Sequence, residues 1–398
     1  MANKAYQIEF SGTAPDEGLY GDIVSLRVEE NTITASTFHL QIALRLQDDG
    51  SWTYLDDDRF AIFNSAVVKI GFMDDASAAL NGLETVFDGF ITTAEVEIGS
   101  DPEDAIFNIS GMDTSVMMGL EDKIALWPNS TDSDIVRQIV ASYGIAAQID
   151  QTATVHQEDD TTIVQRGTDI DFVRGLARKN GMEFFFETDD SGVLRAFFTA
   201  PQLDGTPQQD LAIQFGDGSN LRSFSAHLNG LTPLNVKVAQ IDIGANSPNV
   251  AQANEAQLAK LGDKDASALI GGQLDSRITP KDAQAQMLIL GPPTSDAAEM
   301  QTIVQAVLDE ASWFIDAHGE INSDAYQSVL RPHRLVLVKG AGTTYSGKYY
   351  VTKVVHEMNH EGDYIQRFEA RRNARDLDGS EKFGKGSSMI AIQGIWPK

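Results

Sequence analysis

Hydrophobic and polar residues alternate along the first third of the chain. In Phe38-His39-Leu40-Gln41-Ile42-Ala43-Leu44-Arg45-Leu46 apolar side chains recur at every second position. A strand points successive residues to opposite faces, so this spacing predicts a strand with one buried face. Val24, Leu26 and Val28 alternate likewise, as do Val68, Ile70 and Phe72, and then Ala94, Val96 and Ile98. Ile106-Phe107-Asn108-Ile109 adds a further short strand. Asp48-Asp49-Gly50, Asp74-Asp75 and the stretch from Gly99 to Asp104 supply the turns between these runs. Several short strands at this spacing predict an antiparallel barrel or sandwich.

The period changes near residue 129. Asn129-Ser130-Thr131-Asp132-Ser133 offers several helix-capping side chains, and Ile135, Val136, Ile139, Val140 and Tyr143 follow at helical spacing until Gly144. A second helix is predicted from Thr168, with Asp171 placed to hold the free amides of its first turn. Phe172, Val173, Leu176 and Ala177 form its apolar stripe, and Gly181 ends it. Met182 to Glu187 and Val193 to Thr199 read as strands around a turn. Strand patterns resume from Leu211 to about Val250, and return in Leu335 to Val338, Lys348 to Val355 and Tyr364 to Arg371. Residues 251–295 keep no period and read as a mobile loop or linker. Met300, Ile303, Val304, Val307, Leu308 and Ala311 share one helical face, with Gly319 after them.

The fold class this predicts is mainly β with an α/β insertion: two antiparallel β regions plus a small α+β domain, the β regions being the ones that the resemblance described below makes into two antiparallel β-barrel domains. The β regions fall at 1–128 and at 206–250 joined with 330–375. The α/β domain falls at 129–205, a linker and helix at 251–329, and a tail at 376–398. That tail carries Ile390, Ile392, Ile395 and Trp396, apolar residues unusual for a free end and suited to docking on a partner.

Charge narrows the partners. The formal net charge is −28 over 398 residues. Binding nucleic acid by neutralising phosphates is not expected of such a chain. The charge is uneven: residues 1–150 hold about 26 acidic and about 7 basic side chains, residues 331–375 about 9 basic and about 4 acidic. Opposite signs at the two ends favour contacts between copies. With no cysteine, disulfides and thiolate zinc sites are absent. No apolar run approaches the roughly 20 residues that span a bilayer. The N-terminus has no apolar signal region, so synthesis in the cytoplasm is expected.

One catalytic signature stands out. His356-Glu357-Met358-Asn359-His360 has the H-E-x-x-H spacing of zinc metalloproteases. That chemistry needs a helix, on which positions four apart share one face and grip one metal. Here β-branched and aromatic residues from Tyr349 to Val355 precede the motif, and Glu361-Gly362-Asp363 follows as a turn. The context predicts a hairpin, leaving the zinc protease as the alternative reading. The paired acids Asp56-Asp57-Asp58 and Asp159-Asp160 could flank a glycosidic bond, but acid runs beside turns are more often solvated loops. No catalytic residue, cofactor site or metal site is assigned.

Two stretches go beyond generic β-structure. Gln165-Arg166-Gly167-Thr168-Asp169-Ile170-Asp171-Phe172-Val173, continuing through Leu176-Ala177 to Gly181, resembles a segment of the phage late control protein D family. That family includes gp27-type baseplate hubs and the first half of the valine-glycine repeat proteins of type VI secretion. Gly347-Lys348-Tyr349-Tyr350-Val351 through His356, followed by Tyr364-Ile365-Gln366-Arg367-Phe368 through Arg371, resembles its closing hairpin. Phe87-Asp88-Gly89-Phe90-Ile91 and Tyr143-Gly144-Ile145 match more loosely. Leu330-Arg331-Pro332-His333-Arg334 departs, standing where relatives often carry Pro-Gly. The resemblance implies tube-protein-like barrels and a homotrimeric baseplate hub. Such a hub adapts a hexameric inner tube protein to a trimeric spike, nucleates tube assembly and contacts other baseplate components. It further implies a separate spike protein, no enzymatic activity and residence in the baseplate of a phage tail or injection system.

Overall fold

The computed structural model describes residues 3–73, 82–158, 162–189, 191–242, 247–270, 286–290, 297–379 and 381. Six strands come first: β1 (Asn3–Phe10), β2 (Ile23–Asn31), β3 (Thr37–Ala43), β4 (Ser65–Met73), β5 (Glu84–Glu97) and β6 (Ile106–Asp113). They lie side by side in the order β1-β4-β5-β6-β3-β2, all antiparallel. In β2, β3 and β4 the alternation works as the sequence predicts, whereas Ala94, Val96 and Ile98 at and just past the end of β5, expected to bury one face, are exposed. Phe38, Leu40 and Ile42 of β3 are buried with Leu26 and Val28 of β2 and Val68 and Ile70 of β4. A register shift between Ile23 and Ser25 makes Ile23, not Val24, the buried residue at the start of β2.

The chain then builds the α/β domain from β7 (Asp122–Trp127), β8 (Ser130–Thr131), helix α1 (Asp132–Ser142), β9 (Ala146–Ile149), β10 (Val155–His156), β11 (Ile163–Thr168), helix α2 (Asp169–Lys179), β12 (Glu183–Thr188) and β13 (Leu194–Thr199). Thr131 and Thr168 cap the two helices, accepting from the amides of Asp134 (3.1 Å) and Asp171 (3.3 Å). The helical stripes Ile135, Val136, Ile139, Val140, Val173 and Leu176 close over Phe184, Ala196 and Phe198 of the β12-β13-β9 sheet.

The remaining strands are β14 (Gln208–Ala212), β15 (Leu221–Leu228), β16 (Asn235–Asp242), β17 (Ser247–Ala253), β18 (Gln286–Leu290), β19 (Ile315–Asn322), β20 (Leu335–Lys339), β21 (Gly347–Asn359) and β22 (Tyr364–Arg372). β21, β22, β19 and β15 continue the large sheet in that order, while β20 joins β21 and β14 joins β20. Their own core gathers Leu211, Phe314, Ile315, Tyr349, Val351, Val354 and Phe368. β2 pairs with β21 from Ser25↔Asn359 to Asn31↔Lys353, so both halves belong to one curled twelve-stranded sheet.

Residues 251–329 are more than the expected linker and helix. They carry the end of β17, all of β18, a helix α3 (Ala297–Ala311) and β19. β16 and β17, expected in the second barrel, pair with β18 in a separate small sheet under α3, around Val236, Val238, Met300, Val304 and Leu308. Alternation announces a strand but does not say which sheet takes it. Gly319 sits inside β19, where it had been expected to follow the helix. A Cβ there would lie 2.6 Å from the Ser223 carbonyl and 2.8 Å from the Phe368 ring. Among the described residues no helix is long and apolar enough to cross a membrane.

Gly319→Ala should therefore destabilise the fold by about 1–3 kcal/mol, the cost of overpacking a filled core. Urea denaturation of the two proteins measures it.

Candidate assembly surface

The face of the large sheet turned away from its two cores is polar, and its side chains are linked in series. Glu97 on β5 accepts from Asn108 on β6 (2.9 Å), and Asn108 accepts from Gln41 on β3 (3.0 Å). Gln41 accepts in turn from Ser25 on β2 (2.7 Å). Two residues along β2, Arg27 donates to Glu357 on β21 (3.0 Å). Glu357 also binds Arg367 on β22, which reaches Glu320 on β19 (3.1 Å), and Glu320 accepts from Arg222 on β15 (3.3 Å). The ladder thus crosses eight adjacent strands and the seam between the halves. His39 bonds Ser110 of the neighbouring strand (2.8 Å), and Lys353 joins the ladder through Glu29 (2.8 Å), which binds Arg27. Each exposed pair contributes roughly 0–1 kcal/mol, so the ladder gives a smooth charged wall more than it gives stability. Despite the strongly negative net charge, this face carries both signs in alternation.

Beneath the wall, at the seam, lies a buried polar cluster. Glu30 on the core side of β2 binds Arg331 with one oxygen (2.8 Å) and His356 with the other (3.0 Å). His356 bonds the Tyr364 hydroxyl through its other ring nitrogen (2.8 Å). Burial pushes the Glu30 carboxyl up, but Arg331 and His356 outweigh it and hold the group below its ordinary value. Burial, and then the charge on Glu30, push the Tyr364 phenol well up.

The zinc reading is overturned here. Residues 347–359 form a strand, and that strand sends His356 inward to Glu30 and Glu357 outward to the arginine ladder. His360 lies past the strand end in an exposed turn, its backbone N–H donating to the Val24 carbonyl (3.1 Å). Neighbours on a strand face opposite ways, so the motif's three side chains do not converge. Among the described residues, no group of three or more His, Asp or Glu is placed to hold a metal.

The Arg331 loop also fastens the α/β domain. His333 stands in the left-handed region at φ 60°. It bonds Glu183 (2.8 Å) and stacks on Phe185 with ring centroids 3.5 Å apart. These contacts offset the roughly 1–2 kcal/mol that a left-handed residue costs. Tyr350 donates to the same Glu183 (2.6 Å), and Arg334 pairs with Glu187. Sequence reasoning missed two further polar centres. Asp169 accepts from Lys123, Tyr143 and Gln165, each at 2.6 Å. Asp132 binds His156 (3.0 Å), Lys179 (2.8 Å) and Asn180 (2.7 Å). The available signal was an acid placed one residue after a capping threonine. Of the paired acids, Asp57 caps a short turn and binds Arg59 (2.6 Å), while Asp159 and Asp160 lie outside the described residues. So do Ile390, Ile392, Ile395 and Trp396.

A mainly β chain with one curled sheet in two halves and an α/β insertion has the fold of phage tail proteins. The 43 kDa tail protein of prophage MuSo2 from Shewanella oneidensis matches 94% of the chain with 100% of its own at a TM-score of 0.64 and 12% identity. A tail protein of Neisseria meningitidis matches 93% with 97% of its own, at 0.63 and 11%. The Escherichia coli c3393 protein is described as a type VI secretion component similar to the phage T4 tail proteins gp27 and gp5. It matches 95% of the chain with 80% of its own, at 0.53 and 13%. No curated protein matches the chain in sequence. The family model of the Alg8 N-terminal domain matches residues 7–360, and the chain belongs to that family.

Three outcomes are expected. Glu30→Gln strands the buried Arg331 charge and should cost about 3–5 kcal/mol in urea denaturation. Because the folded Glu30 carboxyl titrates below its ordinary 4.5, its stabilisation is complete above that pH and is lost as pH falls through the folded value. Wild-type stability should drop on acidification below 4.5, and the Glu30→Gln profile should lack that share of the drop. Elemental analysis should find no stoichiometric zinc, in wild type or in His360→Ala alike.

Proposed function

We propose that this chain is the structural hub subunit of a contractile tail-like machine and carries no catalytic activity. Three copies form a ring in which each contributes two half-barrels. A threefold assembly then presents six similar positions, meets a hexameric inner tube on one side and a trimeric spike on the other, and nucleates tube growth. The observation that carries this reading is the single sheet made of two halves, each with its own core, bridged by the β2–β21 pairing and by one polar ladder across the seam. A wall lined by hydrogen-bonded charges of both signs suits a channel to which passing cargo must not adhere. The shared fold with prophage tail proteins and the c3393 protein supports the same place, in the baseplate of an assembled particle.

Native mass spectrometry tests the reading. The expected mass is three times 43.3 kDa, and images of the particle should show a ring with six similar lobes. A monomer at every concentration would overturn it.

A further inference from the structure

A cleft of about 180 Å³ opens where α2, α3 and β21 meet. Its walls include Ile33, Trp313, Tyr350 and Pro201, with Arg174 and Arg178 at i, i+4 on α2. Its acids are already engaged: Glu183 by His333 and Tyr350, Asp309 by the Gln257 amide and Gln305, Glu310 by Arg371. The side chains of the two α2 arginines make no hydrogen bond or ion pair among the described residues; Arg174 has the Asp113 and Asp171 carboxylates in its field, and its Nε is shielded from solvent with no acceptor. A shielded donor left without a partner is destabilising, so this cleft favours an incoming carboxylate. Its volume is comparable with the roughly 150 Å³ cavity that holds a benzene ring, enough for one aliphatic side chain beside that carboxylate.

The same chain carries the complementary shape. β4 pairs with β5 from Glu84 to Phe90 and the chain before it bonds Ile91, so among the described residues the rest of the β5–β6 hairpin projects with one edge unpaired. On this overhang Val96 and Ile98 are 44% and 49% exposed. Glu95, Asp101, Glu103 and Asp104 are exposed around them and form no ion pair among the described residues. Because the tip is exposed, it does not fill the cleft of its own chain.

We propose that the acidic β5–β6 tip of one copy inserts into the Arg174–Arg178 cleft of the next, placing Ile98 against Trp313 and its carboxylates on the two guanidiniums. Tip and cleft are different surfaces, so the contact is head-to-tail, and repeated with a closing rotation it makes a ring. This inference rests on the trimeric hub reading and names one of its subunit contacts.

The cysteine-free sequence gives a clean test. The full chain carrying both Glu103→Cys and Arg178→Cys is oxidised and run on a non-reducing gel. Separately, Arg178→Glu is compared with Arg178→Glu plus Glu103→Lys by native mass and by thermal melting. The expected result is a covalent ladder ending at the trimer. Arg178→Glu should raise the concentration at which the trimer dissociates by about tenfold or more, the lower end of close interfacial charge pairs. Adding Glu103→Lys should restore it, with melting unchanged throughout. A trimer that neither cross-links nor responds to the charge reversals overturns this contact and leaves the hub reading standing, as does a disulfide formed within one chain. A wild-type monomer at all concentrations removes both.

Discussion

The fold depends on a buried ion pair between residues 301 positions apart: Glu30 near the start of the chain and Arg331 near its end. It sits where the two half-sheets share an edge, and both side chains are almost wholly buried. An unpaired charge there would be prohibitive, so the pair forms together with its supports or not at all. His356 saturates the second oxygen of Glu30, Tyr364 orients His356, and Gln366 on β22 accepts from the Leu330 amide beside the arginine (2.8 Å). The loop that delivers Arg331 also delivers His333 and Arg334 to β12. One polar knot thereby sets the register of the seam and the seat of the α/β domain.

How far the sequence discloses this depends on the kind of interaction. The strands of the first half and the helices α1 and α2 were legible, because burial of one face imposes a period and because threonine caps announce helix starts. The hairpin around His356 was legible for the same reason, and it disarmed the protease signature. The seam was not. Glu30 reads as an ordinary acid at a strand end, and nothing local to Arg331 shows that a carboxylate waits for it across the fold. The small sheet under α3 was hidden too, because β18 lies in a stretch with no sustained period and β16 pairs with it instead of with the large sheet. The left-handed His333 stands where the resemblance expected glycine, held by a carboxylate and a ring that only the tertiary structure brings near.

Sequence identity of 11–13% with proteins of the same fold is consistent with this division. Alternation and caps can be kept by many residue choices, since a core asks mainly for volume and polarity. The ladder of the outer face is one solution among several for a polar wall, and its individual pairs are weak enough to be exchanged.

β21 holds β22 along one edge and both β20 and β2 along the other. During synthesis the N-terminal strands emerge long before it, and the partners His356 and Glu30 are 326 residues apart. A nascent chain on the ribosome must therefore carry β2 as an open edge for most of its elongation, the state most prone to misjoining with another chain. The charged outer row of β2, with Arg27 and Glu29, blunts that edge until its partner arrives. Slow final zippering, sensitive to chaperones and to crowded translation, is the kinetic cost of building two half-barrels on a single shared rail.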